Sequence, residues 1–147
     1  PNLQLVIAGH WDARYPEARA AAERMQIGGR VRFIPGVAEA DLPALLSGAA
    51  VFAFPSRYEG FGLPPLEALA CGAPVVCSNT SSLPEVVGDA GILVEPTATA
   101  FAPALARVLG DAALAAQMRA SGPPYAAQFS WQTTAAATLA AYEQTLR

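Results

Sequence analysis

Two glutamates stand on either side of a glycine turn in the segment Glu59-Gly60-Phe61-Gly62-Leu63-Pro64-Pro65-Leu66-Glu67. The short apolar run Ala50–Phe54 precedes the turn and predicts a strand. Pro64 and Pro65 after the turn predict the start of a helix, which should end at Gly72. Unpaired backbone N–H groups at a helix start attract phosphate, and ionised carboxylates accept hydrogen bonds from hydroxyl groups. The segment therefore indicates a site for a diphosphate flanked by two sugars.

Each part of this segment has a predicted role. The backbone amides expected to meet the phosphates are those of Gly60, Phe61, Gly62 and Leu63. Glu67, expected in the first helical turn, suits the adjacent hydroxyls of a ribose, and Glu59 suits the transferred sugar. A structural interpretation stays open for each acid alone. Glu67 would then only complement the helix dipole, and Glu59 would be a solvated loop charge.

The elements that must position this turn alternate along the chain. Apolar runs predict buried strands at Leu3–Ala8, Val31–Ile34, Ala50–Phe54, Pro74–Cys77 and Ile92–Val94. Helical patterns cover Pro16–Met25, Asp41–Leu46, Pro65–Ala70, Leu83–Val87, Ala100–Leu109, Asp111–Ala120 and Trp131–Leu146, the last with Ser130 as its N-cap. Apolar strands separated by helices predict an α/β fold, a parallel sheet with helices on both faces and a helical C-terminal end.

Composition narrows the class of protein. A chain of 147 residues with 53% hydrophobic and 14% charged residues is expected to form one domain with a core. The net charge of −3, with nine unclustered arginines and no lysine, argues against nucleic-acid binding. No apolar run approaches the length of a transmembrane segment. Cys71 and Cys77 match no zinc or redox spacing, and the lone His10 predicts no metal site, although it follows a strand end where ligands bind.

The glutamate segment and its surroundings resemble the group 1 glycosyltransferases, which are retaining family 4 enzymes of the GT-B fold. The signature is a Glu-x7-Glu motif, matched from Glu59 to Glu67 and continued by Ala68–Val76. Val31–Val37 and Ser78–Val87 also stand in the expected order. The resemblance covers essentially the whole chain. It implies a single Rossmann-like nucleotide-sugar-binding domain over residues 1–147, which is one half of a GT-B fold.

The resemblance implies roles for the matching residues. The first glutamate of the motif contacts the donor sugar, so Glu59 is the implied catalytic residue, and the second glutamate, Glu67, contacts the ribose. The backbone after a strand, at Gly36 and Val37, passes the nucleotide base. The implied donor-binding residues are Glu59, Gly60, Phe61, Gly62, Leu63, Glu67, Gly36 and Val37. No metal is implied, because the helix dipole and basic residues replace it and the sequence contains no Asp-x-Asp motif. No cofactor is implied, since the donor sugar nucleotide is a substrate.

The resemblance also implies that the chain is part of a longer enzyme. In similar enzymes an N-terminal domain binds the acceptor and carries an active-site histidine. A strand and helix before the matched region carry an arginine and a lysine that neutralise the diphosphate. Neither segment is matched here, so we expect donor binding with little or no turnover. The implied acceptor is a saccharide or a lipid-linked sugar. The implied location of the enzyme is the cytoplasm. It is expected either to be free there or to bind the cytoplasmic face of the membrane peripherally through the missing domain.

One further segment favours a particular donor. Ser81-Ser82-Leu83-Pro84-Glu85 is most similar to mannosyl-transferring members, which favours GDP-mannose over a UDP-sugar. Two alternatives stay open. One is a non-catalytic nucleotide-binding or interaction module that would use Glu67 but not Glu59. The other is a different GT-B enzyme, such as a sugar-nucleotide epimerase. A phosphorylase-like protein would need a cofactor lysine, and the sequence contains no lysine.

Overall fold

The computed structural model describes residues 3–10 and 12–146. The chain divides into two compact units, Pro1–Leu42 and Pro43–Arg147. The strands of the described residues are β1 (Leu5–Ala8), β2 (Val31–Ile34), β3 (Phe52–Phe54), β4 (Val75–Ser78) and β5 (Ile92–Val94). Their α-helices are α1 (Glu17–Arg24), α2 (Leu42–Ser47), α3 (Leu63–Ala70), α4 (Leu83–Val87), α5 (Ala98–Gly110), α6 (Ala112–Ala126) and α7 (Trp131–Thr145). Parallel strands alternating with helices confirm the predicted α/β class and the helical C-terminal end.

The first unit contains a two-stranded parallel sheet. Leu5 of β1 lies opposite Val31 of β2, and Ala8 lies opposite Ile34. The predicted burial of β1 is wrong, since Leu5 is 52% exposed and its apolar neighbours in the strand are also exposed. An apolar run is buried only where other elements cover it. Among the described residues, β1 pairs with β2 alone.

The second unit is built on a three-stranded parallel sheet in the order β3, β4, β5. Central strand β4 is fully buried along its whole length. A core cluster forms where β4 meets α5 and α6, and its buried members are Val76, Phe101, Ala104, Val108 and Met118. No single described helix is both long and apolar enough to cross a membrane. Helices α5 and α6 pass that test of length and composition only as a pair, with a bend of 97° between them.

Helix α6 runs to Ala126, so the predicted end at Ala120 is wrong. Packing against α3 overrides the helix-breaking tendency of Gly122 and the two prolines that follow it. A side chain at Gly122 would lie 2.8 Å from the carbonyl oxygen of Leu69, which shows how closely the two backbones approach. Arg119 of α6 fixes the same region.

The Arg119 guanidinium donates hydrogen bonds to three backbone carbonyl oxygens. Its Nη2 lies 2.6 Å from the oxygen of Ala49, and its Nη1 lies 3.3 Å from the oxygens of Ser47 and Gly72. Ser47 is the last residue of α2, and Ala49 and Gly72 follow α2 and α3 within two residues. The last carbonyls of a helix have no partner within that helix, and a cation at this end is favourable. Arg119 therefore joins α6 to the C-terminal ends of α2 and α3.

Candidate functional site

Helix α3 begins directly at the glycine turn. Gly62 is its N-cap and has left-handed backbone angles, φ +115° and ψ +46°. The predicted start at Pro64 or Pro65 is therefore one or two residues late, since the helix begins at Leu63. Its predicted end is confirmed, because Gly72 follows the helix with φ +71°.

The position of Glu67 in α3 differs from the prediction. Because the helix begins at Leu63, Glu67 is its fifth residue and lies in the second turn; the first turn holds no acid. The effect of a helix dipole on a charge falls off within the first turn. The helix dipole therefore does not explain why residue 67 is a glutamate. Glu67 is exposed, which leaves its carboxylate open to solvent and ligands.

The turn presents a run of unpaired backbone donors. Within the described part of the chain, the amides of residues 60–63 donate to no protein acceptor. Pro64 and Pro65 have no N–H group, and the Leu66 N–H donates to the carbonyl of Gly62 at 3.3 Å. The unpaired donors at the start of α3 are thus the four predicted amides, those of Gly60, Phe61, Gly62 and Leu63. Donors of this kind at a helix N-terminus favour an anion.

The two glycines of the turn serve different purposes. A Cβ atom at Gly62 would lie 2.8 Å from Cδ2 of Leu83, and the backbone of Gly62 is left-handed. Gly62 is therefore required by the fold. At Gly60 a Cβ atom would meet no other atom within 4 Å, and this residue is exposed. Space beside Gly60 is open, as the approach of a ligand to the backbone requires.

Hydroxyl side chains at the end of β4 and just after it bind the backbone at the end of β3 and just after it. Ser78 is fully buried, and its Oγ donates to the carbonyl of Phe54 at 3.4 Å. Thr80 donates from its Oγ1 to the carbonyl of Ser56, also at 3.4 Å. These bonds continue the alignment of the two strands past their carboxyl ends. The loop that carries Glu59 is therefore fixed to the loop after β4.

Glu59 is half-buried, and both of its backbone polar groups are bound. Its N–H donates to Oγ of Ser81 at 3.0 Å, and its carbonyl accepts from Oγ of Ser82 at 3.0 Å. Burial raises the pKa of the Cys77 thiol to about 11, and the negative charge of Glu59 adds to that rise. Cys77 is therefore an unreactive thiol at neutral pH. The backbone of Glu59 is therefore held in place through both its N–H and its carbonyl group.

Gly36 and Val37 lie in the loop after β2, in the first unit. Gly36 is exposed and Val37 is half-buried. His10 lies in the same unit and lines a cavity of about 140 Å³ at the carboxyl ends of β1 and β2, together with Ile7 and Ile34. The contact of Gly36 and Val37 with a nucleotide base stays a prediction.

Ser81 and Ser82 are the site residues that the sequence interpretation missed. It used them only as part of a segment similar to mannosyl-transferring enzymes. A serine just before Leu83-Pro84 is the signal of a helix N-cap, and nothing local in the sequence shows that its hydroxyl binds another loop.

Solved structures match this architecture over nearly the whole chain. Sucrose-phosphate synthase from Thermosynechococcus elongatus is similar with a TM-score of 0.85 and 31% identity, covering 97% of this chain and 38% of that one. HepE from Anabaena, solved in complex with UDP and glucose, is similar with a TM-score of 0.81 and 26% identity, covering 96% of this chain and 41% of that one. The fold and the glycine turn thus define one half of a GT-B glycosyltransferase.

The sequence comparisons give the family. The model of the family described as "Glycosyl transferases group 1" matches residues 1–123. The chain belongs to the group 1 glycosyltransferases. It is 46% identical over 116 residues to the O-antigen chain mannosyltransferase B of Escherichia coli, covering 78% of this chain and 30% of that protein. The chain spans between 11% and 37% of the length of the curated relatives it matches.

Proposed function

We propose that this chain binds the nucleoside-diphosphate sugar of a retaining hexosyltransferase of family 4, with GDP-mannose as the favoured donor. The observation that carries the proposal is the run of four unpaired amides, residues 60–63, between two glutamates at the start of α3. Two similar proteins support it. The relative from Escherichia coli is named a mannosyltransferase, and HepE was solved with UDP and glucose.

In this proposal each part of the turn meets one part of the donor. The diphosphate accepts hydrogen bonds from the amides of residues 60–63, where the positive end of the α3 dipole also favours negative charge. Glu59 accepts hydrogen bonds from the hydroxyls of the transferred sugar, and Glu67 accepts them from the ribose. The backbone of Gly36 and Val37 meets the base.

The transfer breaks the bond between the anomeric carbon of the sugar and a diphosphate oxygen. A hydroxyl oxygen of the acceptor forms the new bond on the same face of the sugar and gives its proton to the departing diphosphate oxygen, so the configuration is retained. Amides held in place before the reaction stabilise the charge that develops on the departing diphosphate. Glu59 orients the sugar. We expect this scheme to need no metal or other cofactor.

The remaining parts of the proposal concern the longer enzyme. The acceptor is a saccharide or lipid-linked sugar that binds outside this chain, as in the synthesis of a polysaccharide. Transfer takes place in the cytoplasm or at the cytoplasmic face of the membrane. This chain alone should therefore bind the donor with little or no turnover.

Calorimetric titration of this chain with GDP-mannose, UDP-glucose, GDP and UDP tests the proposal. Glu67→Gln should weaken the binding of both the nucleotide and the nucleotide sugar, since both ligands contain the ribose. Glu59→Gln should weaken only the sugar-bearing ligand. Loss of a hydrogen bond to a charged group corresponds to a rise in Kd of roughly tenfold or more. Glu143→Gln, at an exposed position of α7, is the matched control for the change in charge.

The outcomes separate the alternatives. If Glu59→Gln changes the binding of neither ligand while Glu67→Gln weakens the binding of both, the non-catalytic nucleotide-binding module is favoured. An equal loss of both ligands in both variants would contradict the division of roles. Absence of saturable binding of all four ligands at millimolar concentration would contradict donor binding by this chain.

A further inference from the structure

Ser82 precedes the first residue of α4, where a serine hydroxyl ordinarily accepts a hydrogen bond from the amides of its own helix. The Ser82 side chain makes no such bond. Its hydroxyl faces the glycine turn instead, with Oγ 2.6 Å from the carbonyl oxygen of Phe61 and 3.0 Å from that of Glu59. The hydroxyl therefore binds the turn and does not cap the helix.

Ser81 binds the same turn through the N–H group of Glu59, whereas Ser82 binds the carbonyl group of that residue. Oγ of Ser81 accepts the N–H of Glu59 at 3.0 Å. The backbone of Ser81 is left-handed, with φ +51°, a conformation that is uncommon for a residue with a side chain. Two consecutive serines thus hold the N–H and the carbonyl of Glu59.

The geometry of the peptide bond explains how binding of the carbonyls also orients the neighbouring amides. A trans peptide unit is planar, and its carbonyl and N–H groups point in opposite directions. The carbonyl of Glu59 shares a peptide unit with the N–H of Gly60, and the carbonyl of Phe61 shares one with the N–H of Gly62. Because both carbonyls face the hydroxyl of Ser82, both N–H groups must point away from it. One hydroxyl, whose single hydrogen is shared between the two carbonyls, thereby orients two of the four unpaired amides.

We propose that Ser82, supported by Ser81, positions the glycine turn for the donor diphosphate. The inference rests on the proposed function, because the amides that Ser82 orients are those assigned to the diphosphate. Ser82 is a positioning residue: it acts through the carbonyls of Glu59 and Phe61 and needs no contact with the ligand. A ready-made orientation of the amides lowers the cost of ordering them when the ligand binds.

The test compares Ser82→Ala with Ser82→Thr, which keeps the hydroxyl. Ser121→Ala is the matched control, because the Ser121 hydroxyl also donates to a backbone carbonyl, that of Met118 at 3.3 Å. Nuclear magnetic resonance gives the ¹⁵N order parameters of the Gly60 and Gly62 amides without ligand, and calorimetry gives the Kd of GDP and GDP-mannose.

We expect the order parameters of Gly60 and Gly62 to fall in Ser82→Ala from about 0.85, typical of a rigid backbone, toward about 0.6. The Kd of both ligands should rise roughly three- to tenfold, as loss of one hydrogen bond predicts. Ser82→Thr should restore both measurements, and Ser121→Ala should change neither. Should Ser82→Ala not fold, Ser81→Gly removes the other hydroxyl at a left-handed position that glycine tolerates, and the same local loss of order and weaker binding are expected.

Unchanged order parameters and unchanged Kd values in Ser82→Ala would overturn the proposal. A loss of order spread over β4 and α4 would also overturn it, since it would show a role in the fold alone. If the unmodified chain binds none of the ligands, the proposed function fails. The order parameters then decide by themselves whether Ser82 positions the turn.

Discussion

Gly62→Ala tests the requirement for glycine at the start of α3. The added methyl group would lie 2.8 Å from Cδ2 of Leu83, the end of a fully buried side chain that would have to shift. Overpacking of this kind costs about 1–3 kcal/mol. The left-handed backbone at φ +115° costs a further ~1–2 kcal/mol for a residue with a Cβ atom. We therefore expect the free energy of unfolding to fall by roughly 2–5 kcal/mol.

Urea unfolding followed by circular dichroism measures this change, and Gly60→Ala is its matched control two residues away. A Cβ atom at Gly60 meets nothing within 4 Å, so its free energy of unfolding should stay within about 0.5 kcal/mol of the original. Gly60→Ala should nevertheless weaken GDP-mannose binding, because its methyl group stands on the open side of the turn. A Gly62→Ala chain as stable as the original, or a Gly60→Ala chain destabilised to the same extent, would refute the reasoning.

Four further predictions concern the second unit. Arg119→Met should lower the free energy of unfolding by about 1–3 kcal/mol in urea unfolding, because three carbonyls lose a charged donor. Gly122→Ala should cost about 1–3 kcal/mol in the same assay, since its methyl group would push against the backbone of Leu69 in α3. Burial raises the pKa of Cys77 above its ordinary 9.0 to about 11, so stability should fall as the pH rises from 9 to 11, and Cys77→Ala should lack that fall. In the folded protein at pH 8, mass spectrometry should find iodoacetamide on the half-buried Cys71 before it reaches Cys77.

The strands and most helices could be predicted because their signals are local. Val31–Ile34 and Ile92–Val94 are strands with the predicted bounds, and Leu83–Val87 is a helix with the predicted bounds. Short apolar runs between turn residues leave the chain few other arrangements. Ser130 was predicted as an N-cap, and its Oγ accepts the N–H of Thr133 at 3.1 Å. In each case the deciding interactions lie within a few residues of one another.

Where the prediction failed, a partner distant in sequence decides the structure. Helix α6 continues through Gly122 because α3 packs against it, although glycine and two prolines signal an end. Ser82 has the local signal of a cap, but two carbonyls more than twenty residues earlier bind its hydroxyl. The exposure of Leu5 likewise depends on which elements cover β1, which an apolar run alone does not encode.

The glutamate motif is local in sequence, but its geometry depends on the start of α4. Leu83 fills the space that a side chain at Gly62 would need, and Ser82 binds the carbonyls of Glu59 and Phe61. A steric and a polar contact from two neighbouring residues therefore act on one turn. Without Ser82, the peptide units that carry the N–H groups of Gly60 and Gly62 would lose the hydrogen bonds that orient them. For that reason, we expect a peptide containing only residues 59–67 to lack the anion-binding geometry that the folded chain provides.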